Sequence, residues 1–452
     1  MEKQILSLIE EKKYTRLREC LEELNPADIA LILEEAELRD LPVVFRILPK
    51  ELAAEVFVEM DRDLQQHLIE SFSNTELKDV FDELFMDDMV DIIDEMPAIV
   101  AKRILKQTDP KTRTMVNKLL AYPESSAGSV MTTEYLSIKK SMTVDEAFES
   151  IRNNAVDTES IYTCYVTDRS RKLLGVITIK DLLLANKNAV IEEIMDENII
   201  YANTLTDREE VVSLFDKYDL YVLPIVDNEN RLVGIITVDD VIDVMQEEVE
   251  EDIEMMAAIL PSEKSYLKTG IFATFKARIP WLMFLMISAT FTGAIISSFE
   301  SRLTKWMALI AFIPMLMGTG GNSGSQSSVT VIRGLSTGEI EFKDIWRVIW
   351  KELRVSVVCG VVLGVVNFAK LYLVDYLWLN NFDEGVYLTE MLAVSITVVL
   401  VVIVAKLVGS VLPIVAKKLG ADPAVMASPL VTTILDAFSL LIYFSIATVL
   451  LM

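Results

Sequence analysis

The chain has 452 residues, 52% of them hydrophobic, with 42 Lys+Arg against 68 Asp+Glu, one histidine and a formal net charge of −26. So acidic a balance repels phosphate and argues against nucleic acid as a partner; the single histidine, His67, removes most His-ligand and His-base chemistry. Three cysteines (Cys20, Cys164, Cys359) without paired spacing argue against a disulfide framework or zinc cluster and fit a reducing cytoplasm. The charge is uneven: residues 1–270 carry 29 Lys+Arg and 57 Asp+Glu, residues 271–452 carry 13 and 11. A very acidic soluble part therefore precedes a near-neutral membrane part, and the natural counter-ions of the first are cations. The N-terminus, with apolar residues broken by charges, does not read as a signal peptide.

Residues 1–125 read as an acidic domain of short helices. There is no glycine from Glu2 to Ala121, and apolar residues recur at helical spacing. Helix starts are expected at Asn25-Pro26, Pro49, Asp61, Ser73-Asn74 and Asp87. The amphipathic runs lie roughly 12 residues apart, which suggests a superhelical array. Asp87 and Asp91 are four apart and share one helix face, where like charges repel and a bound cation would relieve them.

Residues 126–250 change to strand signals and repeat. Arg171 to Leu184 (R-K-L-L-G-V-I-T-I-K-D-L-L-L) is echoed by Asn230 to Asp243 (N-R-L-V-G-I-I-T-V-D-D-V-I-D). An aspartate, Asp168 or Asp227, stands seven residues before each glycine, Gly175 or Gly234, and Val130-Met131 and Ile194-Met195 open the halves. The tandem G-x-x-T-x-x-D pattern resembles a pair of cystathionine-β-synthase (CBS) repeats, the first over 126–195 and the second over 196–250. That resemblance implies either an adenine nucleotide between the repeats, with Thr178, Asp181 and Thr237 as candidate contacts, or a purely structural dimerisation module. Residues 240–270 then read as one acidic connecting helix, with valines and methionines on its apolar face. Acids so dense beside a membrane need divalent ions or basic partners.

Five spans are expected: 279–299, 307–332, 355–374, 391–416 and 423–452, each long enough to cross roughly 30 Å of hydrocarbon. Lys276 and Arg278 precede the first, five basic residues from Arg333 to Arg354 separate the second and third, and Lys417 and Lys418 separate the fourth and fifth. The third-to-fourth loop has no Lys or Arg. The positive-inside rule therefore places the N-terminus in the cytoplasm and the C-terminus outside. Phe342, Ile345, Trp346, Ile349, Trp350 and Leu353 form a stripe expected of an interfacial helix on the cytoplasmic leaflet.

Two membrane segments are chemically unusual. The second span holds Gly318, Gly320, Gly321, Asn322, Ser323, Gly324, Ser325 and Gln326, which suits a helix–helix contact or the wall of an aqueous pathway. The last span carries Asp436 near its middle, where an unpaired carboxylate costs at least roughly 2.5–3.5 kcal/mol. Ser428, Thr432 and Asp436 recur at i, i+4 and i+8, and Pro429 is expected to free a backbone carbonyl. These are hard oxygen donors, suited to Mg²⁺ or Ca²⁺. Lys370 can snorkel from a helix end; Lys406 lies deeper and has no evident role.

The order of acidic helical domain, CBS pair, connecting helix and five spans resembles the MgtE family of magnesium channels and transporters. So do P-M-L-M-G-T-G-G-N-S-G-S-Q (Pro314 to Gln326) and D-P-A-V-M-A-S-P-L-V-T-T-I-L-D (Asp422 to Asp436). The resemblance implies a multi-pass homodimer of the cell inner (plasma) membrane that is not an enzyme and imports Mg²⁺ down its gradient. It implies a pore site at Asp436, with Thr432 and Ser428 at positions whose carbonyls assist, lined by Gly318, Gly320, Gly321, Asn322, Gly324 and Gln326. It further implies cytosolic Mg²⁺ sensors that close the pore: Glu55, Asp87 and Asp91; Asp207, Glu209, Asp216 and Asp219; and Asp240, Asp243, Glu248, Glu251 and Asp252. ATP is the nucleotide it suggests for the CBS pair. The competing readings are a channel of the same build for Co²⁺, Ni²⁺ or Ca²⁺, and a CBS nucleotide receptor that moves no ions.

Overall fold

The computed structural model describes residues 2–451 except 156–157, 263–265, 267–268, 304–306 and 377–386; the side chain of Ser428 and most of the third-to-fourth loop lie outside the described residues. The chain divides into two compact units, Met1–Met245 and Gln246–Met452.

The first unit begins with ten short helices between Glu2 and Leu119. Most expected starts fall where local chemistry sets them. Asn25 and Asp61 cap helices Pro26–Glu34 and Arg62–Ser71, each side chain accepting a backbone N–H two residues on. Ser73 and Glu76 form a reciprocal capping box on Asn74–Phe81. The fifth start differs: the helix is Met86–Glu95, so Asp87 stands in its first turn, and the preceding Phe85 has no capping side chain. Glu134, 48 residues on, accepts the Met86 N–H instead, at 3.0 Å. Phe45, Phe57 and Phe81 pack in a row with ring centroids 6.0 Å apart at each step.

Two three-stranded sheets follow. In the first, β1 (Tyr135–Lys139) pairs parallel to β2 (Ser160–Thr167), and β2 antiparallel to β3 (Leu173–Thr178). The second repeats this with β4 (Ala202–Asn203), β5 (Val222–Val226) and β6 (Leu232–Thr237). The matched turns are alike: Asp168 accepts the N–H groups of Ser170 and Lys172, Asp227 those of Glu229 and Arg231, and Arg171 and Asn230 both take positive φ. Each repeat's leading segment pairs with the other repeat's sheet. Thr132 bridges to Ile235, and Asp196 to Val176. A methyl at Gly234 would strike the Thr132 carbonyl and Met131, and one at Gly175 would strike Met195. Each sheet is built within one repeat, and isolated bridges at the opening Val-Met and Ile-Met segments tie each repeat to the other's sheet.

The connecting helix is Val238–Met256, ending well before residue 270. Among the described residues of the second unit, four helices are long and apolar enough to cross a membrane: Ile271–Phe299, Phe342–Val374, Leu388–Lys418 and Pro423–Leu450. They contain or overlap four of the expected spans. The remaining one, 307–332, is not a single helix: a short piece, Met307–Ile310, precedes Ile313–Ser336, whose first turn holds Pro314. Its glycines and serines leave it too polar to count with the other four. The interfacial helix expected at 342–353 is not separate either. Ile345–Lys370 runs unbroken, its N-terminal end carrying the exposed Trp346 and Trp350. Lys370 stands 5.6 Å over the Phe312 ring, consistent with a structural role.

Candidate metal sites and ion pathway

The acids of the first unit converge on the start of helix Met86–Glu95. Asp87 is 6% exposed, and burial, then Asp240, Asp88 and Glu159, hold its carboxyl well above the usual range. Asp88 is pushed up to about 7 by burial and then by Asp240, Asp239, Glu134 and Glu59. Glu159 is pushed up to about 8, again by burial first and then by Asp240, Asp88, Asp239 and Glu134. Its Oε2 is buried without a hydrogen-bond partner among the described residues. Asp240 rises to about 6 through burial, tempered by hydrogen bonds from Thr237. The shared cause is carboxylates brought together away from water without an equal number of cations.

Only part of this was expected. Asp87, Asp240 and Asp243 belong to the neighbourhood; Asp88, Glu134, Glu159 and Asp239 were missed. Glu55 and Asp91 are exposed. Asp87 and Asp91 share a face by spacing, but the acid that shares the crowded surroundings of Asp87 is its half-buried neighbour Asp88. The four acids expected in the second CBS repeat sit at opposite ends of helix Arg208–Tyr218: Asp207 caps its start, with Glu209 in the first turn, and Asp216 and Asp219 close its end. Those ends are about 18 Å apart at 1.5 Å per residue, too far for one ion within one chain.

Thr178, Asp181 and Thr237 are held in helix caps. The Thr178 hydroxyl donates to Asp181 and the Thr237 hydroxyl to Asp240, each at 2.5 Å. The repeated G-x-x-T-x-x-D signal is thus, at the least, a repeated helix start.

A second acidic group lies in the other unit. Asp252 rises to about 6 through burial and then Asp422, Glu248 and Glu251, while the Ser336 hydroxyl opposes the shift. Asp422 was not expected as a site residue; its carboxylate also accepts the Ala424 N–H at 2.7 Å, starting the turn Pro423–Met426. Among the described residues, no group of three or more His, Cys, Asp or Glu is arranged to hold a metal ion. Both acidic groups are crowded by charge without forming a closed cage.

In the membrane unit the glycine-rich helix has two faces. Gly320, Gly321 and Gly324 are buried, facing Ser439 and Val401, Thr432, and Leu435 with Ala405 respectively. At Gly324 a methyl would lie 3.1 Å from the Ala405 carbonyl and run into Leu435, so the backbones meet where a side chain cannot fit. These three glycines therefore make helix contacts within the chain, on the turns that flank Asp436. Gly318, Asn322 and Gln326, spaced by four, are exposed on another face. Asp436 is half-buried one turn beyond Thr432, whose hydroxyl lies 3.5 Å from that of Ser325. Pro429 is in the first turn of Ser428–Leu451, so it frees no mid-helix carbonyl; the nearby Met426 carbonyl accepts from Ser328 at 2.6 Å.

The comparisons follow this division of the chain. Residues 313–446 match the family described as a divalent cation transporter, MgtE; residues 24–125 match the MgtE intracellular N domain; and 127–188 and 191–247 match CBS domains. The magnesium transporter MgtE of Thermus thermophilus is 38% identical over 96% of this chain and 95% of its own. That of Bacillus subtilis is 33% identical over 98% and 96%. Among solved structures, the cytosolic domain of the Mg²⁺ channel MgtE in complex with ATP aligns with a TM-score of 0.52 and 38% identity, covering 54% of this chain and all of that one. The soluble part of a magnesium transporter aligns with a TM-score of 0.51 and 26% identity, covering 55% and 97%. With relatives above 30% identity aligned nearly end to end, the chain belongs to the MgtE family.

Proposed function

We propose that this protein imports Mg²⁺ across the cell membrane, as a homodimer, through a pathway selected by Asp436 and closed by internal Mg²⁺ at its acidic clusters. The observation that carries the reading is the polar row Gly318, Asn322 and Gln326, exposed on a helix packed among membrane spans. Facing lipid, these groups would lack hydrogen-bond partners; facing a second copy across a wet axis, they are satisfied. Ile313–Ser336 is then the fifth span, with the N-terminus cytoplasmic and the C-terminus outside. One Asp436 from each copy would attract a dication, and Thr432 and Ser428 would add oxygen donors. Because Mg²⁺ sheds water reluctantly, such a site can grip the hydrated ion and still release it.

Closure follows from the two acidic groups. Mg²⁺ that binds Asp87, Asp88, Glu159, Asp239, Asp240 and Asp243, or Asp252 with Glu248, Glu251 and Asp422, cancels their repulsion and favours a compact state. Glu55, Asp91, Asp207, Glu209, Asp216 and Asp219 are exposed and could complete sites only with acids from elsewhere in the dimer. ATP at the CBS pair is supported by the ATP complex of the related cytosolic domain. It would bind beside the capped Thr178 and Thr237 starts.

The family description, divalent cation transporter, favours a second reading in which another dication is carried. Uptake into vesicles holding the purified protein decides between them. Mg²⁺ uptake that excess Ca²⁺, Co²⁺ or Ni²⁺ hardly slows supports the first reading. Preferential uptake of one competitor supports the second. ATP binding with no ion uptake would leave only a receptor.

A further inference from the structure

Lys406, which the transport reading leaves without a task, is 6% exposed in the helix Tyr387–Lys418. Its Nζ donates to the Ser327 hydroxyl at 3.4 Å, and that hydroxyl donates to Glu352 Oε2 at 2.7 Å. Ser327 itself is 2% exposed. Three membrane helices therefore meet at one hydroxyl. A buried ammonium in a membrane unit is expensive unless an opposite charge balances it. Here the balance passes through Ser327 to Glu352.

The same turn of the glycine-rich helix is fastened on its other side. Ser325 lies 3.5 Å from the Thr432 hydroxyl, and Ser328 donates to the Met426 carbonyl at 2.6 Å. Ser325 and Ser327 are about 3 Å apart along a rigid helix axis. A shift of Ser327 is consequently a shift of the groups that face Thr432, one turn before Asp436.

We propose that Lys406 is a positioning residue for ion passage: with the half-buried Glu352, through the buried Ser327, it forms a charge bridge that holds the serine turn in register with Thr432. This rests on the transport reading above. Removing the ammonium strands Glu352 and releases the turn. Removing both charges releases the turn without the stranded carboxylate.

The test is Mg²⁺ uptake per folded protein in vesicles, with folding followed by size-exclusion and melting. Lys406→Met should lower maximal uptake tenfold or more. Lys406→Arg, which keeps the charge but not the compact ammonium, should retain more uptake than Lys406→Met. The double variant Lys406→Met/Glu352→Gln should be several-fold faster than Lys406→Met alone. Ser327→Ala should be several-fold slower than wild type, and adding Glu352→Gln to it should change little. Uptake by Lys406→Met equal to wild type overturns the bridge, as does a double variant no faster than Lys406→Met. Should Lys406→Met fail to fold, Ser327→Ala decides: uptake as fast as wild type overturns the bridge. If the wild type itself takes up no Mg²⁺, the transport reading falls and the bridge with it. If the wild type transports and Lys406→Met matches it, only the bridge falls.

Discussion

The crowded acids of the first unit and the solitary Asp436 of the last helix use their carboxylates in opposite ways. In the first unit, Asp87, Asp88, Glu159 and Asp240 are packed against other acids, and burial and mutual repulsion raise their carboxyls above the usual range. In the membrane unit, Asp436 stands half-buried beyond Thr432, on a helix with no other acid or base. Crowded acids gain most when a divalent ion arrives, and the gain is available to pull elements together. A lone acid per chain attracts the ion without caging it. In the function proposed for this protein, the difference separates sensing from passage within one chain.

The largest way to break this contrast is to remove the crowd. Replacing Asp87, Asp88 and Asp240 together by Asn should raise the internal Mg²⁺ needed for half-closure by about tenfold or more, worth roughly 1.4 kcal/mol of coupling. Uptake at low internal Mg²⁺ should stay near wild type. An unchanged closing concentration would assign closure elsewhere, with Asp252 and Asp422 the next pair to test.

A smaller effect sharpens the membrane side. Gly324→Val places a side chain against Leu435 and the Ala405 carbonyl. It should destabilise the membrane unit by about 1–3 kcal/mol, the usual cost of overpacking. Gly318→Ala, with nothing within 4 Å of its would-be Cβ, should not. Melting of the purified protein distinguishes them, and equal melting would argue against the two-faced helix.

The crowd should also titrate. Each of its raised acids binds a proton more tightly folded than unfolded, so the folded state holds more protons between roughly pH 4 and pH 8. Stability in the absence of divalent ions should therefore fall as pH rises through that window, and Mg²⁺ should restore more of it at pH 8 than at pH 5.5. Differential scanning calorimetry with and without Mg²⁺ reads this as a few degrees in the first unit's transition. A Mg²⁺ increment independent of pH would contradict it.

Smallest is the repeated cap. Thr237→Ala should cost about 0.5–2 kcal/mol through the helix start alone. A wider loss of ATP binding than of stability would show that Thr237 also touches nucleotide.

Sequence periodicity reads within an element, and there it served well. The capped starts at Asn25, Asp61 and Ser73, the tandem strand pattern and the isolation of Asp436 were all legible. Contacts between distant elements were not. Glu134 caps a helix 48 residues earlier, and the two CBS halves exchange their opening segments, which no local pattern records. Asp88 was missed because the i, i+4 rule favoured Asp91, while first-turn position and burial selected adjacent residues. The split faces of the glycine-rich helix could have been found: Gly318, Asn322 and Gln326 are spaced by four, and that spacing separates them from Gly320, Gly321 and Gly324.

The most direct measurement is potential-driven Mg²⁺ uptake into vesicles of low internal Mg²⁺, comparing wild type with Asp436→Ala at matched amounts of folded protein. The account predicts rapid uptake by the wild type and a loss of at least about a hundredfold in the variant, as expected when the group that stabilises a passing charge is removed. Uptake by Asp436→Ala at the wild-type rate would contradict it.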